Sequence, residues 1–416
     1  MRVTSLAVLF SAVLAFGACN SEPLAPEITH LPRALTAAEQ QIVASDNTFA
    51  FSLFREIAAE SSPDSNIFIS PLSVAMALGM QYNGAGGVTA AEMQQTLALQ
   101  GMSLDDVDRS YQSLIALLRG LDKRVAFSLA NSIWYNPSLT PLPTFLSATR
   151  SYFDATVQSL DFQSAGAAPT INGWVNQQTN GKIPAIVPDP ISTDAVMFLI
   201  NAIYFKGDWT EEFDPARTRP SPFTLRSGVK ISVMTMSHGY AVPIGYASDG
   251  ATVIVDLPYG GGAFSMTIIL PALGGMDSLV SSLTNSRWNG WLAGIDSNAA
   301  EVYLPKFTVT YAADTLNGVL SFLGMPSAFC GGPSDFTRLA DVPIGQLCLS
   351  DVRHKAFVQV DEQGTEAAAV TSIEDDFDSL GGTRTIMIAS PFLFVIRERF
   401  SGTILFIGRM MNPAAT

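Results

Sequence analysis

Few residues of this 416-residue chain could carry out acid–base or nucleophilic chemistry. It has three histidines, His30, His238 and His354, scattered along the sequence. Hydrolysis by Ser70 with His354 as its base is conceivable, but both residues lie in apolar strand or helix contexts that would exclude a substrate. The sequence lacks G-x-S-x-G, H-E-x-x-H, G-x-x-x-x-G-K-[ST] and a G-x-G-x-x-G that follows a strand. We therefore expect no enzyme activity and no cofactor.

The three cysteines suggest export rather than catalysis. Cys19 lies near the amino terminus, and only Cys330 and Cys348 remain. In an exported protein such a pair is a candidate disulfide, and two separate buried thiols are the alternative. Neither cysteine has a histidine at the spacing of a zinc site, so no metal site is predicted.

The charge and composition exclude some partners. A net charge of −14 and the absence of a basic run argue against nucleic acid and against a heparin-type polyanion, both of which need clustered Lys and Arg. A hydrophobic content of 48% with 14% charged residues is enough for a large core.

The segment from Val360 to Leu380 is unusual for a surface loop. A predicted strand, His354–Val360, precedes it, and Pro391–Ile407 reads as two apolar strands around a Ser-Gly turn. Within the segment, small uncharged side chains occupy every second position: Thr365, Ala367, Ala369 and Thr371. Such alternation suits a strand that must enter a crowded sheet, because only small side chains fit on the buried face.

This segment resembles the reactive-centre loop of the serpin family. The resemblance rests on the hinge G-T-E-A-A-A with H-K-A-F-V-Q-V-D-E before it, and P-F-L-F-V-I and L-F-I-G-R-M-M-N-P after it. N-I-F-I-S-P-L-S-V-A-M-A-L, N-A-I-Y-F-K-G-D-W and L-P-K-F match three further serpin motifs. The resemblance covers about Ser45 to Pro413. It implies an α+β serpin fold with three β-sheets, eight or nine helices and an exposed reactive-centre loop at about 362–385.

The resemblance also implies a function. A serine or cysteine protease would attack one loop bond and form an acyl-enzyme. The freed hinge would then insert into the main sheet and distort the trapped protease. The hinge residues are Glu362, Gly364, Thr365, Glu366, Ala367, Ala368 and Ala369. A non-inhibitory serpin that acts as a binding or structural surface protein is the alternative. We expect a monomer.

Two groups of residues are expected to control insertion, again by resemblance. Ser70, Ser73, Asn201 and His354 match the shutter, where the main sheet parts, and His354 is the expected partner of Asn201. Trp209, Lys306 and Glu362 match the breach, under the point where the loop enters the sheet. Lys306 is expected to pair with Glu362.

The scissile bond has two candidates. Counting from Gly364 places it at Asp378-Ser379, and counting back from Pro391 places it at Leu380-Gly381. An aspartate would suit an Asp-specific protease, whereas a leucine would suit a chymotrypsin- or subtilisin-like one. Asp375 falls on the inward alternation, where its burial could slow the last part of insertion.

The amino terminus reads as an export signal. Met1-Arg2 and the apolar run Leu6–Gly17 form a signal peptide over residues 1–18 that is too short to span a membrane. F-G-A-C resembles a bacterial lipobox that would acylate Cys19, and Asn20 after it suggests the outer membrane. A secreted, soluble protein is the alternative. Residues 19–44 are predicted to be a flexible tether and residues 45–413 a single domain.

Periodicity predicts the elements that position these residues. Helices are expected at Ala37–Glu60, from Pro71 onward, within Gly84–Leu97, at Pro143–Phe153 and at Thr315–Gly324. Strands are expected at Asn66–Ser70, Val125–Tyr135, Ala195–Asp208, Phe223–Met236, Val253–Tyr259, Phe264–Pro271 and Val302–Val309. The near-continuous hydrophobicity of Ala195–Asp208 places that strand in the middle of a sheet.

Overall fold

The fold was derived from a computed structural model that describes residues 27–313, 315–365 and 384–415. Cys19, the hinge residues Glu366, Ala367, Ala368 and Ala369, and both candidate scissile bonds (Asp378-Ser379 and Leu380-Gly381) lie outside the described residues.

The described residues contain nine α-helices: α1 (Ala37–Glu60), α2 (Pro71–Tyr82), α3 (Gly87–Thr96), α4 (Leu104–Gly120), α5 (Pro143–Phe153), α6 (Ala167–Gln178), α7 (Met276–Ser281), α8 (Asn285–Ala293) and α9 (Asn317–Phe322). A capping box of Thr36 and Glu39 begins α1, and the Ser70 side chain caps α2 ahead of Pro71. Nearly every residue of α2 is buried, as its all-round apolar sequence predicts.

Six strands form the main sheet: β2 (Val125–Tyr135), β3 (Ala155–Ser159), β4 (Met197–Asp208), β11 (Phe307–Ala313), β12 (His354–Val360) and β13 (Gly364–Thr365). Their order is β11-β12-β13-β4-β2-β3, so β4 is internal, as its hydrophobicity predicts. The two-residue β13 lies between β12 and β4.

The other ten strands form one long sheet: β1 (Ile67–Ile69), β5 (Arg219–Thr224), β6 (Lys230–Ser237), β7 (Val242–Asp249), β8 (Thr252–Tyr259), β9 (Phe264–Leu270), β10 (Asp296–Pro305), β14 (Arg384–Met387), β15 (Phe392–Glu398) and β16 (Ile404–Met410). Three sheets were expected. Two of them are continuous here because β10 pairs with β7 through its first half and with β6 through its last residues.

Two predicted strands each prove to be two. Phe223–Met236 is the hairpin of β5 and β6, and Val302–Val309 is divided at Lys306 between β10 and β11. Because β10 belongs to the long sheet and β11 to the main sheet, Lys306 lies where the chain passes from one sheet to the other. The helix expected at Thr315–Gly324 is shorter, at Asn317–Phe322.

The inner face of the main sheet packs on the long sheet and on α2. On β4, Ile203 and Phe205 belong to this core and Met197 packs against it, whereas Ile200 and Phe198 belong to a second apolar cluster with α6. Odd-numbered residues of β4 therefore face the core between the sheets, and even-numbered ones face α6.

Part of the predicted tether, residues 19–44, belongs to described structure. Residues 37–44 are part of α1. Ahead of the helix, the Ile28 amide donates to the Gly261 carbonyl at 2.7 Å, and Arg33 pairs with Glu39 at 2.6 Å. The folded domain therefore includes residues that a proline-rich composition assigned to the tether. No helix in the described ranges is long and apolar enough to cross a membrane.

Candidate functional site

The start of the hinge is already part of the main sheet. Thr365 pairs with Val360 of β12 on one side and with Gly207 of β4 on the other, both antiparallel. Neighbouring strands lie about 4.8 Å apart, so β12 and β4 are separated by about 10 Å at this point, the width of one intervening strand. Within the described residues, β12 and β4 have no direct pairing.

Gly364 is required by close backbone contact. A Cβ atom at this position would lie 2.6 Å from the Cα of Asp208. Since no side chain fits there, only glycine lets β13 approach β4 closely enough to pair with it.

The Thr365 side chain is buried on the inner face of the sheet, with 3% of its surface exposed. Its hydroxyl and that of Tyr259 form a 2.6 Å hydrogen bond. Tyr259 stacks on Trp209 with ring centroids 4.4 Å apart, and burial raises the pKa of the Tyr259 phenol. Trp209 in turn donates from Nε1 to the Asp361 carbonyl at 3.0 Å. The aromatic pair thus contacts the backbone at Asp361, just before the hinge, and Thr365, the first inward side chain of the hinge.

The predicted Lys306–Glu362 pair forms at the same end of the sheet. Lys306 Nζ donates to Glu362 Oε2 at 2.6 Å, and Thr218 Oγ1 donates to Oε1 at 2.7 Å. Burial acts to raise the pKa of Glu362, but the hydrogen bonds from Lys306 and Thr218 outweigh it, so the pKa is lowered. The Phe213 amide also donates to the Glu362 carbonyl at 2.9 Å.

Ser70, Ser73 and His354 meet between α2 and the main sheet. The Ser70 amide donates to His354 Nε2 at 3.0 Å, and the Ser70 hydroxyl donates to the Leu405 carbonyl at 2.8 Å. The Ser73 hydroxyl donates to the Asn201 carbonyl at 3.3 Å. Burial lowers the pKa of His354 to about 4, so the ring is neutral at pH 7 and accepts at Nε2.

The expected hydrogen bond between Asn201 and His354 is absent. Asn201 Nδ2 instead donates to Oδ1 of Asn131 at 2.7 Å. Asn131 lies directly opposite Asn201 in the β2–β4 ladder, whereas His354 lies on β12 and its Nε2 already accepts from Ser70. Directly paired strands bring side chains together, and β12 has no direct pairing with β4 in the described residues, which explains the difference.

Cys330 and Cys348, whose pairing the sequence left open, are joined in the structure with their Cα atoms 5.0 Å apart. The disulfide holds the segment that leads from α9 to β12. Within the described ranges, no group of three or more His, Cys, Asp or Glu residues could hold a metal ion.

Three residues of the site were not foreseen: Tyr259, Thr218 and Asn131. Each acts through a partner distant in sequence, and no local motif surrounds it. Only the folding of distant parts of the chain brings each of these residues to its partner.

Comparisons with known proteins agree with this architecture. The family model described as "Serpin (serine protease inhibitor)" matches residues 44–413. The leukocyte elastase inhibitor of Sus scrofa is 35% identical over 384 residues, which cover 90% of this chain and 100% of that protein. The corticosteroid-binding globulin of Saimiri sciureus is 32% identical over 384 residues, covering 91% and 92%.

Solved structures agree as well. Human thyroxine-binding globulin, crystallised with its hormone, superposes with a TM-score of 0.82 at 29% identity and covers 91% of this chain and 100% of its own. The thermophilic serpin tengpin in its native state has a TM-score of 0.81 at 27% identity, with 94% and 97% covered. This chain belongs to the serpin family, whose described activity is inhibition of serine proteases.

Proposed function

We propose that this protein is a suicide-type inhibitor of a serine or cysteine endopeptidase and acts by cleavage of its reactive-centre loop and insertion of the hinge. The observation that carries the proposal is the position of β13. Thr365 pairs with both β12 and β4, and Gly364 pairs with β4, so the first step of insertion needs no rearrangement there. The small hinge residues that follow, Glu366 excepted, suit the same path.

The energy for trapping would come from new strand hydrogen bonds. An inserted segment of about 10–15 residues, at roughly 1 kcal/mol per hydrogen bond, gains on the order of 10 kcal/mol. This gain stabilises the inserted state, in which the protease remains attached as the acyl-enzyme.

The cleaved bond in this proposal is Asp378-Ser379, and Leu380-Gly381 is the alternative. Asp378 would direct the inhibitor to an Asp-specific protease, and Leu380 to a chymotrypsin- or subtilisin-like one. The protein would act as a monomer, exported to a bacterial cell envelope and held there by acylation at Cys19, or secreted without the anchor.

The relatives named as hormone-binding globulins support a second candidate, a non-inhibitory binding protein. The hinge argues for inhibition because Thr365 and the alanines after it are small and uncharged, so none obstructs insertion.

The test is to incubate the mature protein with a panel of serine and cysteine proteases. We expect a covalent complex on a denaturing gel and a released carboxy-terminal peptide that begins at Ser379 or Gly381 by mass spectrometry. Cleavage without a complex by every protease that cuts the loop would favour the non-inhibitory function.

A further inference from the structure

A cleft lies on the inner face of the main sheet, at the end away from β13. It comprises about 590 Å³ of free space, including the solvent at its mouth. One wall comes from α2, the second from the start of β4, and the third from the segment that leads into β12. Most of the lining side chains are aliphatic, among them Leu78, Met197, Leu199, Leu349 and Val352. The cleft therefore suits a ligand with an apolar body.

The third wall is fixed by contacts behind it. Cys348 belongs to this wall and is joined to Cys330 by the disulfide. The Leu349 amide donates to the Ala328 carbonyl at 2.9 Å. Because this wall is held in place within the described residues, a ligand would meet a formed cleft and would not have to order the chain.

Gln81 is the buried polar side chain of the cleft. It lies four residues after Ala77 and three after Leu78, so these three residues share one face of α2 and together form its wall. Its side chain has 3% of its surface exposed, and within the described part of the chain its buried Oε1 accepts no hydrogen bond. A buried amide oxygen without a partner is destabilising, so a ligand that brings a donor is favoured here.

The two ends of the Gln81 carboxamide define the polar group of the ligand. Oε1 requires a donor, and the adjacent Nε2 donates, so the complementary group carries a donor beside a carbonyl oxygen. A primary amide and a carboxylic acid both have this arrangement. At pH 7 the acid is ionised and has no donor for Oε1, and the net charge of −14 repels an anion. The neutral primary amide satisfies both ends of the carboxamide.

We propose that this cleft is a binding site for a small apolar primary amide. The amide group of the ligand pairs with the carboxamide of Gln81, and its apolar body lies against the aliphatic walls. The site shares no residue with the hinge, so it stands or falls independently of protease inhibition.

The test uses benzamide as the probe and the full mature protein with methionine labelled at its methyl carbon. Met197 lines the cleft, so its methyl resonance, assigned with a Met197→Leu variant, reports binding at this place. We expect benzamide to shift that resonance saturably. Acetophenone is the matched ligand, because a methyl group replaces the amide nitrogen and the carbonyl is kept. It should bind about tenfold more weakly, since it has no donor for Oε1.

Gln81→Met is the matched variant, because it keeps the length of the side chain and removes the carboxamide. It should bind benzamide and acetophenone with equal affinity. Its thermal unfolding midpoint should be no lower than that of the wild type, because the unpaired buried amide is gone. Gln95→Met changes an exposed glutamine of α3 and should keep the wild-type preference for benzamide.

Three results would overturn the proposal. Without a saturable shift at Met197, the cleft would hold only water. Equal affinity of the wild type for the two probes would show that no donor reaches Oε1. A preference for benzamide that persists in Gln81→Met would show that another group recognises the amide.

Discussion

Replacement of Thr365 by arginine should prevent insertion of the hinge. An arginine at this position can either remain buried in the sheet or displace β13 from it. In both outcomes the Tyr259 hydrogen bond, worth about 1 kcal/mol, is lost with the threonine hydroxyl. If the guanidinium stays in the sheet, its burial costs several kcal/mol more. If β13 leaves the sheet, the hydrogen bonds from Trp209 N to Gln363 O and from Asp361 N to Gly364 O are lost with the Thr365 pairing, about 3 kcal/mol in total. The second outcome costs less, so we expect the hinge to be expelled.

The assay compares the thermal unfolding midpoint of the intact and loop-cleaved protein. In the wild type, insertion worth about 10 kcal/mol should raise the midpoint by on the order of 10 °C, given an unfolding entropy of about 2 cal/mol/K per residue. In Thr365→Arg the intact and cleaved forms should unfold at the same temperature, and protease should cut the variant without a covalent complex.

Thr365→Ser is the control, because it keeps the hydroxyl and the small volume and should behave as wild type. The reasoning would be refuted if Thr365→Arg gained the same stability on cleavage and trapped protease as efficiently as the wild type.

Three further predictions concern the surroundings of the hinge. Lys306→Ala should lower the free energy of unfolding of the intact protein because the ion pair with Glu362 is lost, but by only about 1 kcal/mol because Lys306 is partly exposed. Lys306→Arg should keep the pair and the stability. Equal stability of all three proteins in denaturant would contradict this. The pKa of His354 is about 4 when folded and 6.5 when unfolded, so the unfolded state binds more protons below pH 6.5. Stability should therefore fall by about 2 kcal/mol between pH 7 and pH 5, and a His354→Gln variant should show a smaller fall. The Cys330→Ser, Cys348→Ser double variant should have a free energy of unfolding about 3 kcal/mol lower, as expected for loss of a disulfide with a sequence separation of 18. Reducing agent should destabilise only the wild type.

The sequence predicted elements best where a long periodic pattern coincides with one element. The bounds of α1, α5, β2 and β12 match the predicted segments because the apolar pattern of each segment belongs to one element from end to end. Lys306 shows the limit. An apolar run can continue through a residue at which the chain changes sheets, since periodicity reports burial and not the identity of the neighbouring strand.

The residues of the site also differ in how far the sequence predicts them. Glu362 and Lys306 could be placed from motifs, whereas Tyr259 and Thr218 could not, because their roles arise only when distant segments of the chain lie side by side. Asn201 was placed correctly in β4 but given the wrong partner, since the sequence does not state which strand borders another. The α4 helix carries a readable signal, a capping box at Ser103 and Asp106, that strand-centred reasoning passed over.

The contact between Ile28 and Gly261 limits how far the molecule could stand from a membrane. If Cys19 is acylated, eight residues lie between it and Ile28, and the nine residue-to-residue steps of a fully extended chain reach at most about 30 Å. The Gly261 turn follows directly after Tyr259, whose hydroxyl holds the hinge at Thr365. The end of the molecule at which the hinge enters the main sheet would then be the end held near the bilayer. A protease would meet the loop in the layer next to the membrane surface, and enzymes confined to that layer would be the natural targets.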